Sequence, residues 1–231
     1  MRTTDAGIYR RVRENCLREQ RVYRWMRAKW DILAFVAVVI GAIAFSGLNA
    51  GAASEPVAEV RATIDEAGPI FANTQLAPAD RQRQLRKIAT RHFDFAYMAR
   101  SAMGTHWKGL TQSQRKEFIP LFADHVMDTY LGTLQQSTVE AASHALKDKV
   151  SYDGTDRATV YSEVKMPSLA DPLAVNYSLR KGADGWKLYD IVVDNVSTIA
   201  NYRDEFNKTM NDGGYDKLVS DLRTKPPSPA H

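Results

Sequence analysis

The chain has 231 residues, 44% hydrophobic and 25% charged, the composition of an ordinary folded protein with room for one globular domain. Its formal charge of +4 is unevenly placed: residues 1–52 hold 9 basic and 4 acidic residues, while residues 53–231 hold the other 22 basic and 23 acidic ones, a net of −1. The body of the chain is thus not basic, and nucleic-acid binding loses its electrostatic support.

The first element is a run of seventeen uncharged residues, Ile32 to Leu48, preceded by Arg24, Arg27 and Lys29 and followed by Asn49-Ala50-Gly51-Ala52-Ala53-Ser54. A basic flank, an apolar run and a small-residue site describe a secretory signal peptide, with cleavage expected near Ala52-Ala53. The same run sits at the lower limit for spanning a bilayer, so an uncleaved anchor is the alternative. The stretch before Met26 is long for such a leader, whereas a start at Met26 leaves a compact basic segment ahead of the apolar run. Residues 1–53 are read as extension plus signal peptide, residues 54–224 as the functional domain and residues 225–231 as a disordered tail. The only cysteine, Cys16, lies in the leader. Disulfides, thiolate catalysis and cysteine metal sites are excluded for the exported part.

Within the domain, Val57, Val60 and Ile64 recur at helical spacing up to Pro69. Asp80 is a plausible N-cap for a second helix with the stripe Leu85, Ile88 and His92. Phe95, Met98 and Ala102 share the next helical face, which Gly104 should terminate. Thr111 and Gln114 fit a capping box, so a helix should start there and carry Phe118, Leu121, Phe122, His125, Val126, Thr129 and Tyr130, with a kink at Pro120.

From about Val139 the period changes from 3.6 to 2. Ala158–Met166 and Leu173–Arg180 alternate apolar with polar residues, and Ala183-Asp184-Gly185 signals a hairpin. Trp186–Val193 is continuous enough in apolar residues to be a central strand covered on both faces, and a further strand is expected around Ala145–Tyr152. Helical patterns return at Thr198–Met210 and Tyr215–Leu222, separated by Gly213-Gly214. Helices, an antiparallel meander of about four strands, then helices again define an α+β fold.

Catalytic and metal-binding motifs are absent: there is no P-loop, G-x-S-x-G elbow, H-E-x-x-H or EF-hand loop. No cofactor is implied. Asp190, a carboxylate inside an apolar strand, and His125, on an apolar helical stripe, are the sharpest enzyme candidates. A hydrogen-bonded acceptor and a core histidine are the plainer readings of the two.

The segment Phe93-Asp94-Phe95-x-x-Met98-Ala99-x-x-Ala102-Met103-Gly104-x-x-Trp107 resembles the MlaC / toluene-tolerance auxiliary family. The likeness continues through Thr111-x-x-Gln114-x-x-x-Phe118, Tyr130, Trp186-Lys187-Leu188-Tyr189-Asp190-Ile191, Val196-Ser197, Asn201-Tyr202-Arg203-x-x-Phe206 and Gly214-x-Asp216-x-Leu218. Pro120, the Asp194-Asn195 pair and the N-terminal extension depart from the family pattern. The resemblance implies a twisted antiparallel sheet wrapped by helices around a deep apolar pocket for acyl chains. It also implies a monomeric periplasmic carrier of phospholipid, or of a hopanoid as in one branch of the family. Such a carrier is not an enzyme; its partners would be an inner-membrane ABC transporter complex and an outer-membrane lipoprotein. On this reading the tails lie among Phe95, Met98, Phe122, Val126, Val175, Tyr177, Leu179, Leu188, Tyr189 and Ile191. A membrane-anchored adaptor and a small enzyme acting on a hydrophobic substrate are the alternatives.

Overall fold

Residues 55–73, 75–136, 143–165 and 171–224 are described by a computed structural model. The leader, its cleavage site and the tail after Thr224 lie outside the described residues.

Helix α1 (Glu55–Ala72) buries Val57, Val60, Ile64, Ala67 and Phe71. It continues past Pro69, where the sequence pattern stops, and the Asn73 amide donates to the Pro69 carbonyl at 3.2 Å to close the last turn. A proline loses only its own amide bond, which a terminal turn tolerates. Helix α2 (Pro78–His92) starts one turn earlier in character than Asp80 suggests, with Pro78 rather than a side-chain cap at its N-terminus. Its buried Leu85, Ile88 and His92 form the expected stripe. The His92 Nδ1 donates to Glu59 at 2.8 Å, tying α2 to α1.

A true break follows. Phe93 is extended and bridges to Leu188, the Asp94 amide donates to the Leu188 carbonyl at 2.8 Å, and the Asp94 carboxylate accepts from the Tyr97 amide to cap α3 (Phe95–Met103). Gly104 ends α3 at φ +52°, and a Cβ there would meet the Arg203 side chain at 3.3 Å. After a 3₁₀ turn (Gly104–Gly109), the predicted capping box is present. The Thr111 amide donates to Gln114 Oε1 at 2.9 Å, and the Gln114 amide donates to Thr111 Oγ1 at 3.2 Å. Helix α4 (Gln112–Gln136) then runs through Pro120 as one helix. Phe118 and Phe122, both fully buried, anchor it on either side of the proline, so packing outweighs the lost bond.

Five antiparallel strands follow in sequential order: β1 (Ser143–Asp153), β2 (Arg157–Lys165), β3 (Leu173–Gly182), β4 (Gly185–Val193) and β5 (Val196–Ser197). β5, only two residues long, is beyond what alternation can reveal. Between β4 and β5, Asp194 and Asn195 both take positive φ (46° and 67°). This is a tight turn that Asp and Asn tolerate better than most residues, which explains how the chain dispenses with a glycine there. β4 is therefore next to last, not central: β3 pairs along one side, and the other side carries the two-residue β5 and the single bridge from Phe93. Its long apolar run has a different cause, a bulge. Ser178 pairs with Asp190 and Leu179 with Leu188, leaving Tyr189 as the extra residue. The bulge resets the alternation, so Trp186, Leu188, Ile191 and Val193 all join one cluster. The last helix, α5 (Thr198–Thr224), is divided at Gly214, whose φ of 72° is non-helical, as the paired glycines predict.

The core falls into two clusters. In one, the face of the sheet carrying Val160, Val164, Val175, Tyr177, Leu179, Leu188, Ile191 and Val193 packs on α1 and α2. In the other, α3 and α4 pack on α5 through Met98, Ala102, Phe118, Phe122, Val126, Tyr202 and Phe206. Phe122 meets Tyr202 and Phe206 edge-on at 5.5 and 5.9 Å. Phe93 and Tyr130 pack against both clusters and define the seam between them.

Candidate functional site

The ten residues expected to line a tail pocket divide between these clusters. Val175, Tyr177, Leu179, Leu188 and Ile191 stand on the sheet face under α1 and α2. Phe95, Met98, Phe122, Val126 and Tyr189 belong to the helical cluster. Tyr189 faces away from Leu188, as neighbours on a strand do, and the bulge separates it from Ile191 as well; it meets Tyr97 of α3 edge-on at 4.9 Å. What joins the two groups is the seam. Phe93 also stacks on Phe95 at 6.0 Å, and Tyr130 is buried so completely that its phenol is pushed up to about 12. Burial likewise raises the Tyr177 and Tyr202 phenols. These three side chains are neutral, amphipathic and enclosed in hydrocarbon.

Of the α1 residues that complete the sheet cluster, Val57, Val60 and Ile64 were readable as a helical stripe but not as neighbours of β2–β4, and Ala67 and Phe71 join them in the structure. Helical spacing identifies a buried face without naming what covers it.

At the end of the seam near the β3–β4 hairpin lies a cleft of about 360 Å³. Phe93 and Phe95 supply its apolar wall, and Asp94, Arg180, Asp184 and Lys187 its charged ones. Arg180 Nη1 donates to the Asp94 carboxylate at 3.0 Å, and its guanidinium lies 4.7 Å from the centre of the Tyr97 ring. On the opposite side of the hairpin, Lys181 and the Trp186 indole both donate to Glu55, at 2.8 and 2.9 Å, fastening the start of α1.

The two enzyme candidates are not brought together by a hydrogen bond. The Asp190 carboxylate accepts from the Ser197 hydroxyl at 2.5 Å and from the Ile199 amide at 3.0 Å, so it caps α5. Burial raises its pKa above the ordinary carboxylate range, against the pull of these bonds. Its partners are a serine and a backbone amide, and none of its hydrogen bonds reaches His125. The His125 ring lies edge-on to Tyr202 at 5.9 Å, and burial lowers its pKa. Among the described residues, no group of three or more His, Cys, Asp or Glu is placed to hold a metal ion. No described helix is long and apolar enough to cross a membrane.

A sheet and helices of this order, enclosing two apolar layers, define a domain of α+β architecture. The family model for MlaC protein matches residues 61–224, and the chain belongs to the MlaC family. Among solved structures, the chain is similar to the phospholipid-binding protein of Ralstonia solanacearum, determined in complex with a phospholipid. The two share 23% identity with a TM-score of 0.62, over 74% of this chain and 96% of that one. That likeness establishes the common fold. No curated protein sequence matches the chain.

Proposed function

We propose that the exported protein is a periplasmic carrier. It shelters the acyl chains of a phospholipid, or the ring system of a hopanoid, and moves the lipid between membrane complexes of an ABC-type transport system. The observation that carries this reading is the extent of the family match, which takes in the seam and, apart from Val57 and Val60, both apolar clusters. The Ralstonia protein, with the same fold around a phospholipid, supports the cargo class. The N-terminal run Ile32–Leu48 supports export, with processing near Ala52-Ala53.

The physics of the task suits such a molecule. Burial is worth about 0.8 kcal/mol per methylene, so a sixteen-carbon chain left in water costs roughly 12 kcal/mol. A carrier that replaces membrane contacts with protein contacts makes hand-over nearly isoenergetic. Direction must then come from partners, an inner-membrane ABC complex on one side and an outer-membrane lipoprotein on the other. A binding role, rather than catalysis, also fits carboxylates committed to helix caps.

Native mass spectrometry of the processed protein, purified from its host without detergent, tests the reading. A stoichiometric adduct that lipid extraction identifies as phospholipid or hopanoid is the expected result. A protein that arrives empty and takes up no added lipid would overturn it in favour of a membrane-anchored adaptor or an enzyme.

A further inference from the structure

Two hydroxyls are buried where the apolar clusters meet. Tyr130 of α4 packs against both clusters, and Tyr202 of α5 is fully buried in the helical one. Neither phenol oxygen touches solvent or makes a hydrogen bond among the described residues. Burial raises the pKa of each, and Tyr130 adds to the rise at Tyr202, so the two groups lie close enough to feel one another. Their polar neighbours are committed elsewhere. The Thr198 hydroxyl donates to the Ile191 carbonyl at 3.0 Å, and the Thr129 hydroxyl to the His125 carbonyl at 2.8 Å. The Asp190 carboxylate is taken by the Ser197 hydroxyl and the Ile199 amide. Around Tyr202 the rings of Phe122, Phe206 and His125 stand at 5.5, 5.5 and 5.9 Å.

A buried O–H without an acceptor is rare in a native fold, and a pair of them fits a partner that comes and goes. Two such donors beside each other ask for an acceptor with two lone pairs, which a carbonyl oxygen has. The surroundings narrow its chemistry. Burial first, and the charge of Asp190 after it, push the Tyr130 phenol upward. The same field and the same loss of water oppose any anion placed there, carboxylate or phosphate. The acceptor is therefore neutral. The apolar clusters on either side of the seam suit hydrocarbon attached to it.

We infer that the Tyr130 and Tyr202 hydroxyls form an interior hydrogen-bonding site for the neutral carbonyl of an acyl ester, donating to it from α4 and α5 when a tail lies along the seam. The inference rests on the carrier reading and adds to it two ligand-contacting residues, which fix how deep a tail sits. They act on the linkage of the tail and not on the headgroup. An ester-linked chain satisfies both donors. An ether-linked chain of equal length, whose oxygen is a poorer acceptor, leaves them bare. A free fatty acid brings a charge that this site does not accommodate.

The test loads the processed protein, stripped of its native lipid, from vesicles containing equal amounts of dioleoylphosphatidylglycerol and its dioleyl diether analogue. Native mass spectrometry separates the two complexes by mass. Wild type should take the diester in preference by about fivefold to tenfold, the worth of one hydrogen bond. Tyr130→Phe and Tyr202→Phe should each weaken that preference, and the double variant should abolish it while diether uptake stays constant. Because neither hydroxyl is bonded in the lipid-free fold, both single variants should keep the wild-type Tm once delipidated. Equal uptake of the two lipids by wild type overturns the carbonyl site, with an interior water as the donors' partner, and leaves the carrier reading standing. A preference that survives in the double variant overturns the assignment to these phenols. A delipidated variant with a markedly lower Tm overturns it as well, since the hydroxyl would then be bonded within the protein. A wild type that takes up neither lipid overturns the site, and the carrier reading with it if the protein also arrives empty from its host.

Discussion

The amide of Asp94 donates to the carbonyl of Leu188 across 2.8 Å, two residues beyond the end of α2 and at the bulge of β4. That bond fastens the helical layer to the sheet at the head of the seam. The same aspartate caps α3 through the Tyr97 amide and holds Arg180, so one residue joins three elements. Asp94→Ala keeps the backbone bond and loses the other two. Chemical denaturation should show a loss of about 1–2 kcal/mol, the usual cost of an N-cap with a partly sheltered partner. Asp94→Asn, which retains the cap acceptor, should recover most of it. Equal losses in the two variants would mean that the charge on Arg180, rather than the cap, sets the effect.

Lipid bound to the folded chain and not to the unfolded one stabilises it by mass action. Extraction of the lipid should therefore lower Tm. At a hundredfold excess over Kd the stabilisation is about 2.7 kcal/mol, or roughly 5–10 °C for a domain of this size. Calorimetry before and after delipidation measures it, and readdition of the extracted lipid should restore the original Tm. A Tm indifferent to delipidation would place the lipid on the surface of the protein.

Much of the framework was legible because it is local. The capping box at Thr111 and Gln114, the stop at Gly104 and the break at Gly213-Gly214 each depend on a few consecutive residues, and each forms. The faces of β2 and β3 follow from strict alternation. β4 does not, because the bulge opposite Ser178 and Leu179 adds a residue that periodicity cannot register, and so Leu188 and Ile191, three apart, share a face. The division of the ten pocket residues between two clusters was also hidden. Helical stripes tell which side of α1 or α4 is buried, but which element covers it is set by long-range packing. The nearness of the Tyr130 and Tyr202 hydroxyls escaped for the same reason, since it exists only once α4 and α5 are packed together.

Asp190 gives the fold a pH dependence of defined sign. Burial raises its pKa above the ordinary 3.8, so between these values the folded chain binds more protons than the unfolded one. Stability therefore falls as pH rises through that window and levels off above it. Asp190→Asn keeps an oxygen for the Ile199 amide and removes the titration. Urea midpoints measured across the acidic range should show a shallower downward slope with rising pH for the variant. A slope identical to that of wild type would remove Asp190 as its source.

The last prediction concerns which layer lines the tail cavity. Charged replacements are a poor probe, because Tyr177 is 2% exposed and Phe122 0%, and an unpaired charge at either site would threaten the fold before it reported on lipid. Enlarging a small residue is cleaner. Val175 lies on the sheet face opposite Val193, fully buried, whereas Val126 lies in the helical cluster. In a close-packed site Val→Phe should cost about 1–3 kcal/mol, because neighbours must move; in a site that opens to receive an acyl chain the added ring occupies the lipid's place instead. Val175→Phe should therefore lose lipid with less than the packed-core penalty to the lipid-free protein, if the tails lie on the sheet face. Val126→Phe makes the matching test for the helical face. Native mass spectrometry reads occupancy and denaturation of the lipid-free variants reads the packing cost. A variant that stays folded with unchanged lipid content removes its residue from the lining, and loss of lipid in both would place the tails along the seam between the layers.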